Sequence, residues 1–157
     1  MPLGRHEGAP GFVLRDLRGE ERRLPEKGSV LLVFYKVSCP TCQLTLPFIG
    51  RMHRAYGSAL SFLGVGQDPP EEVSLFAERY RLDFPQLPEP PPYEVSSAYE
   101  VQVVPTLYLI EEGRILRVEE SFVKSSLASL NEELARRAGT DPLPLFEGVS
   151  VPPFKPG

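Results

Sequence analysis

The sequence predicts an α/β fold in which a central mixed β-sheet is flanked by helices on both faces. Three observations carry that prediction. The run Ser29–Tyr35 is continuously apolar and partly β-branched, the pattern of a strand covered on both sides. Leu44, Phe48, Met52 and Tyr56 then recur at i+4 with Ile49 beside them, which marks an amphipathic helix. Further on, Glu111-Glu112-Gly113-Arg114 separates two apolar runs as a hairpin turn does. A strand–helix–strand unit early in the chain supplies parallel strands and the late hairpin an antiparallel pair, so the sheet is mixed.

The elements follow in order. Phe12-Val13-Leu14 and the segment near Arg22-Arg23-Leu24 read as short strands around a charged turn at Arg18-Gly19-Glu20. The strand Val30–Tyr35 leads into a helix over 40–56, and Gly57 is placed to end it before a strand over 58–65. Gln67-Asp68-Pro69-Pro70-Glu71-Glu72 is a helix start, with Asp68 as candidate cap and acids facing the macrodipole. That helix runs to about Arg81 and buries Val73, Phe76 and Tyr80; Phe84–Leu87 is a short strand. Pro88-Glu89-Pro90-Pro91-Pro92 is extended, because proline lacks a donor and restricts the residue before it. A short helix over 95–99 precedes strands over 107–110 and 115–119, and a helix over 125–138 ends at Gly139. These elements define a domain of residues 1–138, including a β extension over 8–25. Residues 139–157 hold five prolines and no helical periodicity, and read as an extended tail offering Phe146, Val149, Val151 and Phe154 for docking.

The bulk composition narrows the function. A chain of 157 residues with 41% hydrophobic and 24% charged residues fits one ordinary globular domain. Its net charge of −4, with no dense basic patch, argues against nucleic acid as a partner. No apolar stretch is long enough to span a bilayer and residues 1–10 carry no apolar leader core, so a cytoplasmic monomer away from membranes is the expectation; an exported protein stripped of its leader reads the same way. Eighteen prolines and a single asparagine, Asn131, suggest a thermophilic source.

The chemistry is concentrated in Cys39-Pro40-Thr41-Cys42, which holds both cysteines of the chain and follows the first long strand directly. Closing so short a loop removes little entropy from the unfolded chain, which favours a reversible dithiol over a structural cross-link. With Pro40 as the first helical residue, Cys39 sits at the N-cap, where free N–H groups and the positive dipole end favour a thiolate. The residue at i+3 lies on the same face, so Cys42 is placed to resolve a mixed disulfide that Cys39 forms. Thr41 is a candidate donor to the Cys39 sulfur.

These features together resemble the thioredoxin-fold thiol–disulfide oxidoreductases, closest in layout to the TlpA/ResA-type (redoxin) branch of the bacterial AhpC-TSA superfamily. The resemblance rests on four matches: the Cys-x-x-Cys after an apolar strand, Pro47 five residues past Cys42, Val104-Pro105-Thr106 before a strand, and the opening Gly8-Ala9-Pro10-Gly11-Phe12-Val13-Leu14. Ala98-Tyr99-Glu100-Val101 also falls where that branch has a Tyr-x-Val step. It covers residues 8–138 and leaves the tail outside. The resemblance implies a thioredoxin-like fold, a kink of the dithiol helix at Pro47, and a cis bond at Pro105 beside the dithiol, with the Val104 backbone pairing with extended substrate. It implies exchange with protein or small-molecule disulfides and an upstream thiol reductant or oxidant, using neither a metal nor an organic cofactor. The departures are three. Val33 and Thr45 stand where such proteins carry a proton-handling acid, and Ser38 stands where an aromatic residue is usual. Water, Thr45 or Lys36 are then the candidates for proton transfer.

Three rival readings remain open. A zinc tetrad lacks its second half: His53 lies about three helical turns, ~16 Å, beyond Cys42 on the same helix. A peroxiredoxin needs Pro-x-x-x-Thr/Ser-x-x-Cys, and the positions to match are Leu32 and Lys36 before Cys39, or Tyr35 and Cys39 before Cys42. A non-catalytic binding module would use the Pro-rich loop 88–92 and the tail, but leaves the thiol pair at a helix start unexplained.

Overall fold

The computed structural model describes residues 1–157. Its centre is a five-stranded sheet in which β3 (Ser29–Tyr35) lies between a parallel neighbour, β4 (Ser61–Gly66), and an antiparallel one, β6 (Thr106–Glu111). A parallel β5 (Gln86–Pro88) and an antiparallel β7 (Arg114–Glu120) form the two edges. This is the thioredoxin-like mixed sheet that the sequence implies. The continuous apolar run of β3 is explained by its central place: Leu31, Val33 and Tyr35 enter one core, Val30, Leu32 and Phe34 the other.

The larger core is closed by α1 (Pro40–Tyr56), α2 (Pro70–Tyr80) and α4 (Lys124–Ala138). Helix α1 supplies Leu46, Ile49, Met52 and Tyr56, all fully buried, together with Phe48; Leu44, placed on this face by the i+4 reading, is only partly buried, and Leu46 fills the core in its place. The opposite face is covered by the short α3 (Glu94–Ala98) and by the chain before β3. There Leu3, Phe12 and Leu14 pack on the Val30–Leu32–Phe34 side, around a hairpin of β1 (Val13–Arg15) and β2 (Glu21–Arg23). Tyr99 anchors that layer; its hydroxyl donates to the Pro10 carbonyl at 2.7 Å and its ring meets Phe12 edge-on.

Two glycines are dictated by geometry. Gly113 takes φ +76° in the β6–β7 turn after Glu112 at φ +49°, a left-handed pair that suits a tight hairpin. Gly64 faces Gln86 so closely that a Cβ there would lie within 2.3 Å of the amide oxygen, the same oxygen that accepts from the Tyr35 hydroxyl at 2.7 Å.

Two local readings are corrected. Asp68 does not cap α2: the N-cap is Pro69, with no side-chain cap bond, and the Asp68 carboxylate turns away to the backbone of Val37. Tyr80 is left at the rim of the core rather than buried within it. The tail docks on the domain through Phe146 and Val151, while Val149 and Phe154 stay exposed. Leu145 is buried against the α1–α4 core, Phe146 packs on Phe48 at 4.9 Å between centroids, and β9 (Phe154–Lys155) pairs antiparallel with β8 (Phe122–Val123). Strands of two residues carry no readable alternation, which is why neither was legible beforehand.

The tail is clamped by the chain's single asparagine. The Tyr56 hydroxyl donates to Asn131 Oδ1 at 2.8 Å, Asn131 Nδ2 donates to the Leu143 carbonyl at 2.8 Å, and Leu143 N–H donates back to the Tyr56 oxygen at 2.8 Å. The closed triangle satisfies buried groups from α1, α4 and the tail together. Replacing one corner strands the others, so Asn131→Leu should lower unfolding free energy by about 1–3 kcal/mol, read from a denaturant midpoint. An unchanged midpoint would show that the triangle stabilises nothing.

His53 supplies a pH dependence. Its ring sits between Phe62 and Phe84, at 5.2 and 5.3 Å, with a buried Nδ1 that has no partner. Burial holds its pKa below the ordinary 6.5, Asp83 opposing and Arg54 adding to the effect. On acidification the unfolded chain takes up this proton first, so stability falls as pH drops below about 6.5. In His53→Leu the loss of stability between pH 7.5 and 5.5 should be smaller than in the parent; an equal loss would assign it to other groups.

Candidate active site

The pairing of β3 with β6 assembles the site. These strands are antiparallel, with Phe34 opposite Thr106, so the loop leaving β3 emerges beside the loop entering β6. The first loop delivers Cys39 and Cys42, and the second delivers Val104 and Pro105. The Val104–Pro105 bond is cis, and the Cys39 sulfur stands 3.5 Å from the Val104 carbonyl oxygen.

Cys39 is the N-cap of α1, with φ −81° and ψ 116°, and Pro40 occupies the first turn without forfeiting an intrahelical bond. Its sulfur accepts the Cys42 backbone N–H at 3.2 Å, so one of the free donors of the helix start points at it. Both cysteines are thiols; Cys39 is half-buried and Cys42 has no exposed surface. Burial pushes the Cys42 thiol well up from its ordinary range. A backbone hydrogen bond from Lys36 opposes that shift, while the Cys39 side chain and the Asp68 charge reinforce it.

The loop before the dithiol is braced from two sides. Gln43 Nε2 donates to the Val37 carbonyl at 2.9 Å, and the Val37 N–H donates to Asp68 Oδ2 at 2.8 Å. The second loop is fixed by the Thr106 hydroxyl on the Val103 carbonyl at 2.7 Å and by Ser121 N–H on the Pro105 carbonyl at 2.9 Å. Pro47 lies within α1, and Thr45 donates to the Thr41 carbonyl at 2.7 Å.

One expectation about a hydroxyl changes. Thr41 does not serve the Cys39 sulfur; its hydroxyl donates to the carbonyl of Pro156 in the tail. Thr45 gives its hydroxyl proton to the Thr41 carbonyl, and Val33, sealed in apolar core, has no proton to offer. The acid that does bear on Cys42 is Asp68. Sequence reasoning took it for a helix cap. A better signal was its place just past the carboxyl end of a strand parallel to β3, where α/β sheets gather functional groups. His53 belongs to the far end of α1, away from the thiols.

Removing the Asp68 charge while keeping its acceptor should let Cys42 ionise more readily. In Asp68→Asn the Cys42 titration, followed by the chemical shift of its labelled Cβ, should move to lower pH. A titration that stays put or moves upward would separate Asp68 from the buried thiol.

Comparison with known proteins places this arrangement. Residues 6–119 match the model of the AhpC/TSA family. The chain is 36% identical over 111 residues to the thiol-disulfide oxidoreductase ResA of Geobacillus kaustophilus, covering 67% of this chain and 62% of that protein. It is 35% identical over 117 residues to the ResA of Geobacillus thermodenitrificans, covering 70% of this chain and 66% of that protein. The chain thus spans a little under two thirds of the length of these relatives. Among solved structures, a thiol:disulfide interchange protein DsbE from Chlorobium tepidum superposes with a TM-score of 0.77 at 22% identity, covering 87% of this chain and 99% of that one, which establishes the fold.

Proposed function

Since the chain belongs to the AhpC/TSA family, we propose that within it this protein is a thiol–disulfide oxidoreductase working through Cys39 and Cys42. The observation that carries the reading is the asymmetry of the pair: a partly exposed cysteine at a helix N-cap, with a fully buried thiol one turn behind it. The names of the ResA relatives support it.

The reaction follows from that asymmetry. The Cys39 thiolate attacks one sulfur of a substrate disulfide, forming a mixed disulfide and releasing the other substrate sulfur as a thiolate that takes up a proton. Cys42 loses its proton, attacks the Cys39 sulfur and expels the second substrate thiol. Two electrons pass to the substrate, and the protein is left with a Cys39–Cys42 disulfide that an upstream thiol reductant must reopen. Run backwards, the same steps oxidise a dithiol. Burial keeps Cys42 protonated until the mixed disulfide forms, which protects the resolving thiol from side reactions. The step needs no metal or organic cofactor.

Pro40 sets the helix start and Thr41 and Pro47 shape the helix that carries the thiols. Val104 and Pro105 offer a backbone edge to an extended substrate. We assign the redox unit to residues 1–138 and treat 139–157 as an added strap. No helix is long and apolar enough to cross a membrane. In a cytoplasmic setting the pair runs toward reduction, and in an oxidising one toward maturation or isomerisation, so direction is set by the surrounding thiol poise.

Cys42→Ser leaves the attacking thiol without its resolving partner, so it should accumulate substrates as mixed disulfides that dithiothreitol releases. Capture should vanish when Cys39 is also replaced. Capture that persists without Cys39 would overturn the assignment, and peroxide turnover faster than disulfide exchange would move the thiol to peroxidase chemistry.

A further inference from the structure

Residues 154–157 of the strap reach the site. Beyond the anchor at Leu145 and Phe146, the chain crosses to β8, where Lys124 N–H donates to the Pro153 carbonyl at 3.0 Å and β9 pairs with Phe122–Val123. Past β9, the Pro156 carbonyl accepts the Thr41 hydroxyl, and Gly157 N–H donates to Ser121 Oγ at 2.9 Å. Gly157 lies so close to the cis-proline loop that a Cβ on it would sit 2.4 Å from the Val104 carbonyl oxygen. That oxygen is also the neighbour of the Cys39 sulfur. Residues 154–157 therefore touch the dithiol helix and the proline loop at once.

The manner of holding separates this segment from the rest of the strap. Leu145 is buried, whereas Phe154 is 56% exposed and neither Pro156 nor Gly157 is buried. Residues 154–157 are held by backbone pairing and a few polar bonds, the way an added strand is held at an open sheet edge. Contacts of that kind are indifferent to sequence and are made equally well by another extended chain.

We propose that residues 154–157 act as a tethered competitor for the extended-substrate edge at Val104, occupying the groove between Thr41 and β8. The inference rests on the disulfide-exchange reading and names its substrate class: a disulfide borne on an extended protein segment, which displaces the strap as it docks. Tethering gives the strap an effective concentration in the millimolar range, enough to occupy a site of weak intrinsic affinity for much of the time. Small disulfides need only the sulfur and do not compete for the edge.

Gly157→Val tests this in the full chain, because its side chain cannot fit against the Val104 carbonyl. A chain ending at Pro153 is the second variant; it loses no buried side chain, and an unchanged thermal midpoint reports its folding. With dithiothreitol as electron source, both should reduce insulin disulfides about two- to tenfold faster than the parent, and oxidised glutathione at a rate within about twofold of it. Insulin rates that are unchanged or slower overturn the proposal, and so does equal acceleration with glutathione, which would make the strap a steric cover. A labelled peptide of residues 151–157 should bind the chain ending at Pro153 with both cysteines replaced by serine, and not the full-length equivalent. Absence of that binding overturns the groove whatever the kinetics show. Absence of all disulfide exchange in the parent defeats the redox reading alone, because the peptide measurement does not depend on the thiols.

Discussion

The antiparallel pairing of β3 with β6 in the middle of the sheet is the constraint on which the rest of this protein depends. It fixes a register in which the chain leaving Tyr35 and the chain entering Thr106 emerge side by side. The dithiol and the proline loop are some sixty residues apart in sequence, yet the Cys39 sulfur and the Val104 carbonyl lie 3.5 Å apart. Because both faces of these strands are buried, a register slip would turn core side chains the wrong way, which makes the juxtaposition hard to lose.

Around that fixed point, backbone groups leaving the sheet are satisfied by side chains. Gln43 and Asp68 hold the loop before Cys39, while Thr106 and Ser121 hold the loop at Pro105. Loops supported in this way keep the Cys39 thiol in one geometry without fully burying it. The same arrangement makes the two cysteines unequal. One is open to partners and faces a helix N–H; the other is driven by burial to keep its proton. Asp68 joins the structural brace to the chemistry, since the carboxylate that fixes Val37 also bears on Cys42.

The strap shows how a tail rich in proline contributes to a domain. Its first part is structural: Leu143 closes a hydrogen-bonded triangle with Tyr56 and Asn131, and Leu145 extends the core. Its last part is held by edge pairing and polar bonds alone, next to the sulfur. Prolines suit this course, because an extended chain carried by few donors lies along a surface without forming structure of its own.

By itself the sequence determined the α/β class, the position of α1, the thiol pair at its start and the hairpin after Pro105. Those rest on local physics: a 3.6-residue period, a buried strand's apolar run, and the special backbone demands of proline and glycine. Where local patterns mislead, the reason is visible in particular residues. Asp68 has every mark of a helix cap but is drawn to Val37, and Thr41 finds a carbonyl in the tail before it finds a sulfur. Only the tertiary structure decided that the Asp68 carboxylate braces Val37 and adds its charge to the surroundings of Cys42, and that Pro156 and Gly157 lie on the site. Both outcomes depend on segments far apart in the chain meeting at one end of the sheet, and no periodicity along the chain encodes such a meeting.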